Sequence, residues 1–332
     1  MKIDIVSPPF EITGGILAKV AEISELVGSI SSHANLEAKP HLRKNNRIKS
    51  IYSSLAIEAN SLSLDAVRDV INGHSVIGPA REILEVKNAN RAYGEIGKFN
   101  PLSLKELKRM HGVMTESLVG ESGRFRSGGE GVYDGSRLVF MAPPPELVPG
   151  HMENLFAWLK SVGQTVHPLV SSTVFHYEFV FIHPFADGNG RMARLWQTAL
   201  LAKWRPIFQY LPIESQIQKF QDGYYESIDR CNREGKSTSF IDFMLGRISE
   251  ALSETKGQVS AMTGDLSEYV KRLLAAMEYD VPYTANALLE KLGLKSKEML
   301  RKNYLDPALA MDLISRTIPN RPTSRNQRYV RK

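Results

Sequence analysis

Residue patterning points to a mainly α protein: a helical core carrying one small β-hairpin, followed by a C-terminal module of three short helices and a terminal hairpin. Apolar residues recur at helical spacing through most of the first 256 positions. Six glycines crowd between Gly120 and Gly135, and short apolar runs there flank an Asp-Gly pair, the signal of a hairpin. Charge is uneven. The 332-residue chain has a net charge of +6, yet Leu289 to Lys332 holds eleven Lys/Arg against four acids, an excess of seven, so the rest is close to neutral.

The elements follow in order. Residues 1–100 read as an N-terminal helical region. Ile16, Val20, Ile23 and Val27 mark its first helix, and a polar, basic stretch (KPHLRKNNRIKS) follows. A short helix is expected from Ile48 to Asn60, where Asn tolerates the left-handed backbone that ends helices. Ser63 is placed to cap LDAVRDVI, which stops at Asn72-Gly73, and a further helix covers about 79–96. Residues 101–256 read as a core. Ser103 caps a helix running to about Ser117. Val132-Tyr133, Asp134-Gly135 and Leu138-Val139-Phe140 form the hairpin, and three prolines at 143–145 stop it. Helices then cover MENLFAWLKSV, LVSSTVFHYEFVFI and RMARLWQTALLAKW, with two more near 214–232 and 236–256. Residues 262–332 change character. Two short helices flank a Gly-containing turn, Asp306-Pro307 is expected to start another, and the end reads as strand, turn and strand.

Bulk composition narrows the function classes. At 42% hydrophobic and 23% charged residues, the chain has an ordinary globular profile. Cys231 is the only cysteine, which excludes an internal disulfide or a cysteine-based zinc site. No apolar run approaches the roughly 20 residues that cross a bilayer. The opening MKIDIVSPPFEITGG lacks the apolar stretch of a secretory signal. A cytosolic protein without membrane partners is expected.

The densest chemistry lies in His183-Pro184-Phe185-Ala186-Asp187-Gly188-Asn189-Gly190-Arg191-Met192-Ala193-Arg194. An apolar helix ends at a proline, a tight loop follows, and a new helix opens at about Gly190. Backbone N–H groups at a helix N-terminus lack internal partners and sit at the positive end of the helix dipole. Gly188 and Gly190 carry no side chain, so an anion can approach them closely, which makes a phosphate cradle. Arg191 and Arg194, three apart, lie on roughly one face and suit a polyphosphate. Asp187 supplies a hard oxygen for Mg2+ shared with phosphates. His183, at the loop entrance, is of the type that takes a hydroxyl proton near neutral pH. Phe185 reads as the loop's core anchor.

This segment resembles the signature of the Fic (fido) family, HPFx[D/E]GNGRxxR, at every defined position, and the resemblance extends over most of residues 40–250. It implies a Fic-type helical core, with the hairpin as its flap, and a protein adenylyltransferase: transfer of AMP from ATP to a Ser, Thr or Tyr hydroxyl of a target protein, itself included. By this resemblance His183 is the catalytic base, Asp187 holds Mg2+, and Gly188, Asn189 and Gly190 bind phosphate oxygens. Arg191 assists and Arg194 holds the γ-phosphate. Tyr224 and Asn232, two helical turns apart, fall where similar proteins contact the nucleoside. The flap residues Gly131, Val132, Tyr133 and Asp134 would pair with an extended target segment.

Ser54 and Glu58, one turn apart, resemble the inhibitory motif [S/T]xxxE[G/N] of many Fic proteins, in which the Glu pairs with the second motif arginine, here Arg194. Ala59 stands where Gly or Asn is usual. Residues 262–332 resemble the winged helix-turn-helix domains that follow some Fic cores. Their basic excess suits a DNA backbone, and a protein-binding or homodimer-forming module stays equally open. A second function class is a DNA-binding regulator whose Fic core acts as a sensor or regulated partner. The intact His183, Asp187 and Arg194 favour the enzyme.

Overall fold

The computed structural model describes residues 5–33, 40–134, 137–163, 165–263, 267–278, 281–311, 313–322 and 324–331. The chain divides into two compact units, Met1–Glu254 and Thr255–Lys332.

The first unit opens with α1 (Gly14–His33), α2 (Pro40–Ile57), α3 (Leu64–Ile71), α4 (Ala80–Gly94) and α5 (Leu104–Met114). The hairpin β1 (Gly131–Asp134) and β2 (Arg137–Met141) follows. Then come α6 (Val148–Ser161), α7 (Pro168–Ile182), α8 (Asn189–Trp204), a 3-10 turn at Pro206–Tyr210, α9 (Ile213–Lys219), α10 (Gln221–Glu234) and α11 (Thr238–Thr263), whose last residues run past Glu254. Ser63 and Ser103 cap α3 and α5, accepting from the N–H of Ala66 and Glu106.

The centre of this unit is α7 with α8. Residues 169–177 of α7 are all buried, as are Phe179 and Ile182. A helix apolar on every side belongs inside a core rather than on its surface. In α8, every residue from Arg191 to Ala202 is buried. Trp196 stacks on Phe99 at 5.0 Å between centroids, meets Phe156 edge-on, and donates its indole N–H to the carbonyl of Pro101 at 2.9 Å. The six-residue loop joining these two helices is thus held from both sides by the best-packed part of the molecule.

Four elements differ from expectation. The basic stretch before Ile48 is helix, because α2 begins at Pro40. Its buried stripe includes Asn46, Ser50, Ser53 and Ser54, so hydrophobic periodicity does not reveal it. Those polar groups are paired across helices: Asn46 donates to the Tyr210 carbonyl, Ser50 to Glu214 Oε2 at 2.7 Å, and Ser53 meets Ser215. Helix 214–232 is two helices broken at Phe220, and the helix expected to end near 256 continues to Thr263. The left-handed residue that ends α2 is Ala59 (φ 64°), not Asn60. The hairpin pairs Gly131 with Met141 and Asp134 with Arg137, with a bulge between Val132 and Tyr133. Gly135, its expected turn residue, lies outside the described residues.

The second unit contains α12 (Glu268–Ala276), β3 (Pro282–Thr284), α13 (Ala285–Leu292), α14 (Lys297–Met299), a π turn (Leu300–Leu305), α15 (Asp306–Ala310), β4 (Ile314–Arg316) and β5 (Arg328–Arg331). Its sheet is antiparallel in the order β3-β5-β4. β3 is too short to show a period in the sequence, yet it completes the sheet. Asp306-Pro307 starts α15, as expected, but the helix follows directly on the π turn, so Asp306 is not its cap. Asp306 is itself helical (φ −62°, ψ −44°). The turn before it widens to π geometry, which accommodates a proline that can neither donate an N–H nor tolerate a close preceding carbonyl. Val270, Leu273, Leu288, Tyr304, Ala308 and Ile314 form this unit's own core.

Candidate active site

The loop between α7 and α8 starts with a strained residue. His183 caps α7 in the left-handed region (φ 49°, ψ 60°), its N–H closing on the Phe179 carbonyl at 3.0 Å. A non-glycine residue there costs about 1–2 kcal/mol, and Pro184 prevents the helix from continuing instead. The strain turns the imidazole into a cleft of about 240 Å³ that it lines together with Glu58, Gly190, Arg194, Tyr224, Tyr225 and Asn232. His183 Nδ1 faces the Val180 carbonyl at 3.4 Å. A ring nitrogen facing a carbonyl must carry the proton, so Nε2 keeps its lone pair. Burial pushes the His183 pKa below its ordinary 6.5, so the neutral, proton-accepting form prevails at neutral pH.

Three devices hold the loop. Asn189 folds back on it, accepting from the Phe185 N–H at 3.0 Å and donating to the Phe185 carbonyl at 2.7 Å. Its side chain therefore staples the loop, which leaves its backbone, not its amide, to meet an anion. His111 stacks on Phe185 with ring centroids 3.6 Å apart. Its Nδ1 accepts from the Gly123 N–H and its Nε2 donates to the Asp187 carbonyl, each at 2.9 Å. Burial lowers its pKa to about 4, which keeps the ring in the neutral form this bonding needs. Arg126, buried, donates to the carbonyls of His183 (2.7 Å), Gly128 (2.7 Å) and Pro143. Because Gly128 and Pro143 flank the hairpin, Arg126 ties the base of β1 and β2 to His183. His111 and Arg126 carry no sequence signal, since each finds its loop partners 57 or more residues away.

Past the loop, α8 opens with Gly188 as its left-handed cap (φ 82°). Arg191 and Arg194 diverge. Arg191 is buried against Asp187 Oδ1 at 2.7 Å and Glu85 at 3.4 Å, so its charge is already neutralised on the side of α4. Asp187 Oδ1 also accepts from the Gly188 N–H, while among the described residues Oδ2 meets only Arg81, at 3.3 Å, an exposed side chain. Arg194 turns to α2. It donates to Ser54 Oγ (3.0 Å), to the Ser54 carbonyl (2.8 Å) and to Glu58 Oε1 (2.8 Å). Burial opposes its charge, but the Glu58 carboxylate, with Tyr224 and Tyr93, outweighs this and raises its pKa. A Cβ on Gly190 would collide with Glu58 Oε1. Glu58 therefore sits against the start of α8, where an anion would bind.

The end of α2 positions that carboxylate. Asn60 N–H bonds back to Leu55 and Ala59 N–H to Ala56, the paired bonds of a Schellman cap, with Ala59 left-handed. Asn60 locks the turn further, accepting from Leu62 N–H and donating to Glu85 at 2.8 Å. Ala at this position costs about 1 kcal/mol that Gly would not. Ala59→Gly is expected to raise the urea midpoint and hold Glu58 more firmly in place. A lower midpoint would show that the cap is not the weak point.

Tyr224 and Asn232 share the cleft wall, as their spacing suggests. Tyr224 is buried and donates its hydroxyl to His176 Nε2 at 3.0 Å, leaving only its ring for a ligand. Asn232 accepts from Tyr177 at 2.9 Å, so its amide N–H₂ remains to donate. Tyr225, exposed in the cleft and missed in the sequence, adds a second ring. Gly131 to Asp134 form β1, one strand of a two-stranded hairpin. Among the described residues, no group of three or more His, Cys, Asp or Glu side chains could hold a metal.

A helical core with this loop and hairpin defines a class, and comparison with known proteins agrees. Residues 101–201 match the Fic/DOC family model, and residues 268–330 match the model of the C-terminal domain of Fic-like "filamentation induced by cAMP" proteins. The chain is similar to a Fic family protein from Desulfovibrio desulfuricans G20 at 41% identity, covering 98% of each chain, with a TM-score of 0.75. It is 31% identical over 58% of its length to the protein adenylyltransferase Fic of Nematostella vectensis, spanning 45% of that protein. It is 29% identical over 55% of its length to the protein adenylyltransferase fic-1 of Caenorhabditis elegans, spanning 36% of it. The chain spans less than half the length of these curated relatives. It belongs to the Fic family.

Proposed function

We propose that this chain transfers AMP from ATP to a hydroxyl of a protein substrate. One observation carries the reading: His183, with a free Nε2, opens on the same cleft as Gly190 and Arg194 at the start of α8. The target hydroxyl gives its proton to His183 Nε2. Its oxygen bonds to the α-phosphorus, the bond to the bridging oxygen breaks, and pyrophosphate leaves. The start of α8 and Arg194 receive the β- and γ-phosphates, and the rate gain comes mainly from positioning and charge stabilisation. Asp187 Oδ2, held by an exposed arginine, is the oxygen suited to Mg2+, which would neutralise phosphate charge. The rings of Tyr224 and Tyr225 and the Asn232 amide suit the nucleoside. β1 offers an edge on which an extended target segment can align its hydroxyl. Glu58, by occupying Arg194, acts as a brake. Incubation with α-labelled ATP, followed by detection of label on protein, tests the reading.

The second unit reads as a winged helix, with β4 and β5 as the wing, in a protein we place in the cytosol. Its basic excess suits a nucleic-acid backbone. Retention of the full chain on duplex DNA should then fall steeply with salt, and Arg325→Gln with Arg328→Gln should flatten that slope. Absence of retention at low salt would remove the DNA reading.

A further inference from the structure

A cavity of about 320 Å³ lies beside the N-terminal half of α2, remote in sequence from the Glu58 end of that helix. We propose that it is a second binding site, for a small phosphate-bearing molecule, and that filling it holds α2 in its braking position.

Arg43, Lys44 and Arg47 line the cavity together with Asn90 and Tyr210, and no carboxylate is among the described residues lining it. Arg43 and Arg47 are one turn apart and half-buried, and neither pairs with a carboxylate among the described residues. This contrasts with Arg191 and Arg194, each of which has an acid partner. Arg43 is held in place: its guanidinium lies over the Tyr210 ring at 5.0 Å and donates to the Tyr210 hydroxyl at 3.4 Å. The helix adds to the positive potential. α2 has no acid in its first turn, where the positive end of its dipole lies. Two guanidinium groups brought together in a concavity at that end repel one another, and a dianion would relieve this and accept from both. The Asn90 amide and the Tyr210 hydroxyl supply neutral donors. Ile48 and Ile71 complete the wall, so the space suits a phosphate with a small organic body, not a polymer.

The coupling follows from which elements the ligand would bridge. Arg43 and Arg47 belong to α2, Asn90 to α4, and Tyr210 to the 3-10 turn after α8. A ligand bound by all three favours the arrangement in which they converge, the one that places Ser54 and Glu58 on Arg194. The ligand should therefore slow AMP transfer. This second step rests on the braking role proposed for Glu58; the binding step does not.

Calorimetric titration of the full chain with inorganic phosphate, against sodium chloride at equal ionic strength, tests the site. Saturable binding near one equivalent is expected, weakened at least tenfold in Arg43→Gln/Arg47→Gln. Asn90→Asp, which leaves the Arg43–Tyr210 stack intact and adds a negative charge to the wall, should weaken it similarly and decides the matter if the double variant does not fold. No binding beyond the chloride control, or native affinity in a folded variant, would overturn the proposal. For the coupling, phosphate should lower labelling by α-labelled ATP several-fold in the native chain and leave Glu58→Gly unaffected. Equal inhibition of both would mean that phosphate competes at the nucleotide cleft, and would overturn the coupling. No labelling by any variant would refute the AMP-transfer reading alone, with the calorimetric result still standing.

Discussion

Replacing His183 with alanine lowers AMP transfer by about 10²- to 10⁴-fold, the usual contribution of a positioned general base. The ring is the imidazole lining the cleft, and its Nδ1 proton is committed to Val180, so no other nitrogen there can take the hydroxyl proton. The substitution should leave the fold intact, because His183 holds the loop through its backbone carbonyl, bound to Arg126, and its backbone N–H. Alanine keeps both, although the left-handed backbone strain remains. The native pH profile is a companion test. His183 acts only when neutral, and burial depresses its pKa. Activity should thus persist as pH falls to 6.5 and be lost only below it, as the imidazole takes up a proton. Circular dichroism and a labelling assay separate loss of chemistry from loss of fold.

Glu58→Gly raises labelling by roughly 10- to 100-fold. The estimate follows from a charge-assisted hydrogen bond worth about 1.5–3 kcal/mol, at tenfold per 1.4 kcal/mol. Arg194 is buried and keeps its two bonds to Ser54 when the carboxylate is gone, so the guanidinium stays in position with one donor freed. Glycine at 58 removes the group lying against Gly190 and leaves the start of α8 open. The change also places Gly at the helix cap, beside the left-handed Ala59, where it is well tolerated. The buried Arg194 loses its acid partner, however, so activation should come with a lower melting temperature. Labelling unchanged by Glu58→Gly, in a chain that labels at all, would mean the carboxylate is not a brake.

Much of the fold was legible because its signals are local. The caps at Ser63 and Ser103, the apolar α7 and the strands β1 and β2 each lie within a few residues of the signals that specify them. The candidate site was legible for a similar reason: its histidine, glycines, aspartate and arginines are contiguous, so one loop brings them to one place. Sequence spacing misjudged the directions in which those side chains point. Arg191 and Arg194 are three apart, yet Arg191 is drawn to Asp187 and Glu85, and Arg194 to Ser54 and Glu58. Asn189 closes the loop on itself. The beginning of α2 was illegible because its buried face is built from Asn and Ser. Their burial makes sense only with partners far along the chain: Asn46 donates to Tyr210, Ser50 to Glu214 and Ser53 to Ser215, each at least 162 positions away. Arg126 and His111 were invisible for the same reason, since the groups they serve lie far along the chain.

The most direct measurement compares α-labelled with γ-labelled ATP, using the Glu58→Gly chain and its His183→Ala derivative. Label from the α-phosphate should become covalently attached to protein, label from the γ-phosphate should not, and His183→Ala should remove the signal. Attachment of γ-label, or full α-labelling without His183, would contradict AMP transfer by this site.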